Sequence, residues 1–127
     1  MSDKTLAQKL MIKEGRRVLL VDPPDGYSAT LGDLPEQATV ATESSEPVDI
    51  IQVFVKNRQE LEAQLSKLKP LVKAKGMIWV TYYKGTSKTK TDINRDSIAA
   101  YARSLGMEGI AMISIDDDWS ALRLKLV

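Results

Sequence analysis

Apolar residues in this chain fall into short dense runs separated by stretches with helical spacing, the pattern of buried strands alternating with amphipathic helices. Leu6, Leu10 and Met11 share one face of a first helix, which Ser2 and Asp3 can cap and Gly15 ends. Val18, Leu19, Leu20 and Val21 stand in a row before Pro23-Pro24, which predicts a strand over 17–22, buried on both faces and stopped by the diproline. Residues 27–34 predict a short helix and 38–42 a weaker, peripheral strand, followed by the turn-rich stretch 43–47. A second core strand is expected over 49–55. Asn57 followed by Glu60 has the form of an N-cap with its capping-box partner, and Leu61, Leu65 and Leu68 form the apolar stripe of a helix that Pro70 closes.

Gly76 opens a third core strand over 77–82, after which a polar loop of about ten residues leads to a helix over 94–105 that Gly106 ends. In that helix Ile98, Tyr101, Ala102 and Leu105 face inward. Residues 110–115 and 119–127 predict two strands around Asp116, Asp117 and Asp118, an antiparallel hairpin at the sheet edge. Strands alternating with helices imply an α/β fold with a mostly parallel sheet, helices on both faces and right-handed crossovers. In such a sheet the ligand crevice lies outside the carboxyl ends of the strands, which collects residues 22–27, Lys56, 83–95 and 116–119.

A length of 127 residues suits one domain with one core, so a single domain over 1–127 is expected. The chain contains no cysteine and no histidine. That removes disulfide scaffolds, thiolate zinc sites, cysteine nucleophiles and every mechanism that needs an imidazole base. No run of about 18 apolar residues occurs, and the charged amphipathic start has no signal-peptide pattern, so a cytoplasmic protein is expected. The formal net charge of +1 conceals a division. Residues 22–49 carry seven acids and no base, whereas 56–75 carry six bases against two acids, and 83–95 carry Lys84, Lys88, Lys90 and Arg95 against Asp92. An anion site therefore belongs to the second half.

Four segments carry a resemblance. VLLVDPPDGY (18–27), VDIIQVFV (48–55), LKPLVKAKGMIWVTY (68–82) and WSALRLKL (119–126) follow the order of the first motif, fourth strand, "LKPGG" signature and last strand of the class I methyltransferase fold. The chain resembles a truncated form of that fold, and it is similar to a family of small bacterial proteins of this shape that has no assigned activity. The resemblance implies a Rossmann-like, three-layer α/β sandwich with a C-terminal antiparallel hairpin. It also exposes a departure: where a cofactor loop has glycines whose N–H groups approach the ligand, this chain has Asp22, Pro23, Pro24, Asp25 and Gly26. Two prolines delete two donors and hold φ near about −65°. Glu43 falls about 20 residues further on, where a ribose-binding acid would stand; an exposed loop acid is the simpler reading. Asp22 and Asp25 still offer acceptors to an amino group.

The loop YKGTSKTKTD (83–92) places Gly85, Lys88 and Thr89 like parts of a phosphate loop but lacks the second glycine. A looser anion site is expected from Lys56, Lys84, Lys88 and Arg95, with Asn94 at a helix N-terminus, against the alternative of a solvated loop. Asp116, Asp117 and Asp118 have the oxygen chemistry for magnesium, yet adjacent side chains diverge, so turn capping is favoured and no metal is expected. Trp119 and Arg123 share a strand face. No nucleic-acid motif is present. The leading expectation is a non-catalytic, methyltransferase-like binding or interaction module with no cofactor, its partner a small anionic ligand or another protein rather than nucleic acid or membrane. The alternative is a divergent enzyme, either a methyltransferase or one acting on a phosphorylated or carboxylated metabolite.

Overall fold

The structure is a computed structural model and describes residues 5–32, 34–85 and 90–127. Six strands form one sheet in the order β2-β1-β3-β4-β6-β5, with β1 at Arg17–Val21, β2 at Thr39–Ala41, β3 at Val48–Phe54, β4 at Val72–Tyr83, β5 at Met107–Ser114 and β6 at Trp119–Leu126. The pairs among β2, β1, β3 and β4 are parallel, and β6 alone runs against its neighbours β4 and β5. The α/β class, the mostly parallel sheet and the terminal hairpin therefore agree with the sequence pattern.

Period-two alternation sorts the side chains onto two faces. One face carries Leu19, Ile51, Val53, Ile78, Val80, Leu122 and Leu124 and is covered by α2 (Arg58–Leu68) and α3 (Arg95–Ser104) through Leu61, Leu65, Leu68, Ile98 and Ala102. The opposite face carries Val18, Leu20, Ile50, Phe54, Trp79 and Ala121 and is covered by α1 (Leu6–Lys9) and a 3-10 turn at Tyr27–Leu31. The cover on that second face is short because α1 has barely one turn.

Thr5 caps α1 in a reciprocal capping box with Gln8; the expected caps Ser2 and Asp3 lie outside the described residues. The helix stops well before Gly15. Met11 takes a left-handed φ of 65°, and the N–H groups of Met11 and Ile12 return to the carbonyls of Gln8 and Ala7, a Schellman ending formed without glycine. Asn57 caps α2 on the Glu60 N–H as its spacing predicts, but the Glu60 carboxylate accepts the Lys56 N–H rather than closing the box on Asn57; Asn94 caps α3 with Ser97 as the reciprocal partner. The short helix expected after Gly26 is a 3-10 turn that ends at Leu31.

Two strands begin earlier than their patterns indicate. Strand β4 starts at Val72, because residues 73–76 bulge between the pairs Val48–Val72 and Ile50–Met77. A Cβ on Gly76 would stand 2.5 Å from the Asp49 carbonyl oxygen, so glycine is required where the bulge crosses that backbone. Strand β5 starts at Met107 and contains a bulge at Ile110 between Gly109 and Ala111. No helix among the described residues is long and apolar enough to cross a membrane.

Asp49 ties β1 to β3 and β4: one carboxylate oxygen accepts the Arg17 N–H at 2.8 Å and the other faces Lys73 Nζ at 3.2 Å. Burial opposes its ionisation, but the Arg17 N–H and the Lys73 ammonium outweigh this and hold the carboxyl below its ordinary value. The folded chain binds that proton less well than the unfolded one, so ionised Asp49 stabilises the fold above about pH 3.8 and the contribution disappears as pH falls below it. Asp49→Asn should cost about 1 kcal/mol at pH 7 in urea unfolding, with the difference from the parent shrinking towards pH 3. Leu65 is fully buried under α2, and Leu65→Ala should cost about 2–5 kcal/mol, whereas Lys67→Ala on the exposed side of the same helix should change stability by less than about 0.5 kcal/mol.

Candidate functional site

The carboxyl ends of the parallel strands are where this architecture gathers its ligands. The loop after β1 is shaped there by one buried amide. Gln52 and Thr81 are fully buried on adjacent strands β3 and β4, and the Gln52 Nε2 donates to Thr81 Oγ1 at 3.0 Å. The Gln52 Oε1 in turn accepts the Tyr27 hydroxyl at 2.9 Å. Satisfying that amide pulls Tyr27 down onto the sheet, where its ring meets Phe54 edge-on at 4.7 Å. Burial pushes the Tyr27 phenol well above its usual value; the Gln52 hydrogen bond opposes this and the charge of Asp116 adds to it.

Phe54 meets Trp119 edge-on at 5.2 Å, and Trp119 stacks on Tyr83 at 4.1 Å. Four aromatic rings from the β1 loop, β3, β6 and β4 thus fill the space over the central strand ends on the α1 face. The loop itself makes internal bonds at both ends. Asp22 has a left-handed φ of 56° and accepts from Gln64 Nε2 of α2 at 3.1 Å, and the Tyr27 N–H is used by the Pro24 carbonyl at 3.0 Å. Gly26 takes φ 77° to open the 3-10 turn, a conformation that explains why glycine stands there.

A cleft of about 410 Å³ remains beside this filled region. Pro24, Asp25, Gly26 and Tyr27 form one wall, Leu6 and Lys9 of α1 a second, and Ile115, Asp116 and Trp119 of the β5–β6 turn a third. Glu43 is not part of it: it lines a shallow groove with Arg17, Ser44, Ser45 and Glu46.

The basic residues do not share one groove. Lys84, Asn94 and Arg95 line one open groove together with Tyr82 and Met112, whereas Lys56 lines another with Lys90, Thr91 and Asp92. Lys88 lies outside the described residues. Lys84 Nζ donates to Ser114 Oγ at 2.6 Å, Arg95 pairs with Asp96, and the Asn94 side chain is spent on its cap. Asp116 Oδ1 accepts the N–H groups of Asp118 and Trp119, so this aspartate caps the hairpin turn. Among the described residues no three acidic side chains come close enough to hold a metal ion. Arg123 lies over the Trp79 ring, 5.9 Å from its centre, rather than over Trp119.

Solved structures of known enzymes superpose on this sheet and its helices. The fold is that of the SAM-dependent methyltransferases. A SAM-dependent methyltransferase from Aquifex aeolicus superposes with a TM-score of 0.64 at 14% identity, covering 94% of this chain and 87% of that one. An rRNA methylase from Streptococcus thermophilus gives 0.59 at 10% identity, covering 100% and 99%. A TehB-like SAM-dependent methyltransferase from Corynebacterium glutamicum gives 0.57 at 11% identity, covering 94% and 85%. At these identities the likeness is one of fold. No family model and no curated protein sequence matches the chain.

The buried tyrosine was missed from the sequence, because Gln52 sits inside an apolar run and nothing local says which hydroxyl will reach it. Gln52→Leu leaves the Tyr27 and Thr81 hydroxyls without their partner and should cost about 1–3 kcal/mol in thermal unfolding. Adding Tyr27→Phe should recover part of that loss, a coupling read from the double-mutant cycle.

Proposed function

We propose that this methyltransferase-like domain is a non-catalytic binding module that has given up the usual cofactor interaction. What supports the reading is the loop after β1. Pro23 and Pro24 offer no N–H, the Tyr27 N–H is closed on the Pro24 carbonyl, and the Tyr27 ring occupies space beside Phe54 at the strand ends. A cofactor held by backbone donors in this loop has few left to bind. The short connection 42–47 between β2 and β3, without a helix and strand of its own, fits the truncated form of the fold that the resemblance to a family of small bacterial proteins implies. A cytoplasmic place of work and a small-molecule or protein partner complete the reading.

A second reading, a divergent enzyme, draws on the methyltransferase activities of the fold neighbours. Its form acting on a phosphorylated or carboxylated metabolite draws on the groove that Lys84 and Arg95 share. Isothermal calorimetry separates the module from a methyltransferase. S-adenosylmethionine and NAD should give no measurable heat at protein concentrations of about 100 μM, which excludes affinities tighter than about that value. A micromolar dissociation constant for S-adenosylmethionine overturns the module and leaves the methyltransferase.

A further inference from the structure

We infer that the cleft between the diproline loop, α1 and the β5–β6 turn binds a protonated amine carried on an apolar body. The inference rests on the binding-module reading and names the ligand class of that module. The cleft volume of about 410 Å³ lies within the range of small-molecule sites. Its apolar surface comes from Leu6, Pro24, Ile115 and the edges of the largely buried Tyr27 and Trp119, with both rings held in place by the aromatic contacts through Phe54. A site whose walls are already rigid loses little entropy on binding.

Charge selects the cation. The lining carries two acids, Asp25 and Asp116, against one base, Lys9. Asp25 makes no hydrogen bond or ion pair among the described residues, and Asp116 uses Oδ1 to cap its turn, which leaves Oδ2 for a ligand. Asp116 also acts on Tyr27, opposing loss of the phenol proton, so its negative field reaches the cleft wall. An anion would need donors instead. Pro24 has none and the N–H of Tyr27 is already bonded, so an anion would have only the N–H groups of Asp25 and Gly26 and the Lys9 ammonium, beside two carboxylates. An ammonium group therefore finds carboxylate oxygens here and an aryl or alkyl body finds rings, an arrangement that suits aminated ligands and disfavours carboxylates and phosphates.

Phenethylamine and 3-phenylpropionate test this, because they carry the same aryl-ethyl body with opposite charges. Titrated into the ¹⁵N-labelled protein at low salt, phenethylamine should shift Lys9, residues 25–30 and 115–119 saturably, weaken as sodium chloride rises, and bind tighter than 3-phenylpropionate. Asp25→Asn, which breaks no bond within the fold, should weaken phenethylamine by about twofold to fivefold, and Asp116→Asn, which keeps an oxygen for the turn cap, should do likewise. Equal or tighter binding of 3-phenylpropionate, unsaturable shifts with phenethylamine, or unchanged affinity in Asp25→Asn overturns the inference. A silent phenethylamine titration with a silent S-adenosylmethionine calorimetry leaves the module standing and removes its amine ligand. Micromolar S-adenosylmethionine binding removes the module reading itself.

Discussion

A primary amide in the middle of a sheet buried on both faces has to be hydrogen-bonded, and no water reaches Gln52 to do it. Thr81 on the neighbouring strand takes one side of that amide; the other side is met from a loop, by the Tyr27 hydroxyl. An unmet group there costs about 1–3 kcal/mol, a sizeable fraction of a domain stability of about 5–15 kcal/mol. The path of the chain after β1 follows from this requirement. With Tyr27 drawn in, Gly26 must turn left-handed, the Pro24 carbonyl meets the Tyr27 N–H, and the rings of Phe54, Trp119 and Tyr83 close behind it. The interaction that completes the core is thus the one that sets the path of the loop at the carboxyl end of β1.

The unequal cover of the two faces does the rest. Two full helices seal the face under α2 and α3, while the other face is covered by the 3-10 turn at Tyr27–Leu31 and a single turn of helix pinned by the Trp79 indole N–H to the Leu10 carbonyl at 3.0 Å. So short an element covers the middle of the sheet and leaves its carboxyl end open between the β1 loop and the β5–β6 turn. The cleft is a consequence of that shortness. Its acidic lining follows from which loops border it, since residues 22–49 carry only acids and the hairpin turn adds Asp116.

Much of this architecture is legible in the order of residues because the forces that write it are local. Four consecutive apolar residues before two prolines can only be a buried strand that stops, and Asn57 with Glu60, or Asn94 with Ser97, offers acceptors to N–H groups three residues away. The alternating strands and helices then leave few topologies open. Thr5 with Gln8 carried the same local signal for α1. Where the reading of boundaries failed, a bulge or an unusual φ intervened: residues 73–76 and Ile110 interrupt the period of two without ending their strands, and Met11 ends a helix as glycine usually does.

The candidate site divides along the same line. Composition determined what chemistry the chain lacks, with no imidazole and no thiol, and the diproline determined that the first loop is poor in N–H donors. Only the tertiary structure decided which charged side chains meet. Lys56 and Lys84 follow neighbouring strands yet line different grooves, and Asp25 and Asp116, 91 positions apart in the numbering, line the same one. Hydrogen bonds three residues apart are fixed by backbone geometry, whereas contacts across a crevice depend on where each loop is anchored, and here that anchor is a buried amide whose partner lies 25 residues away.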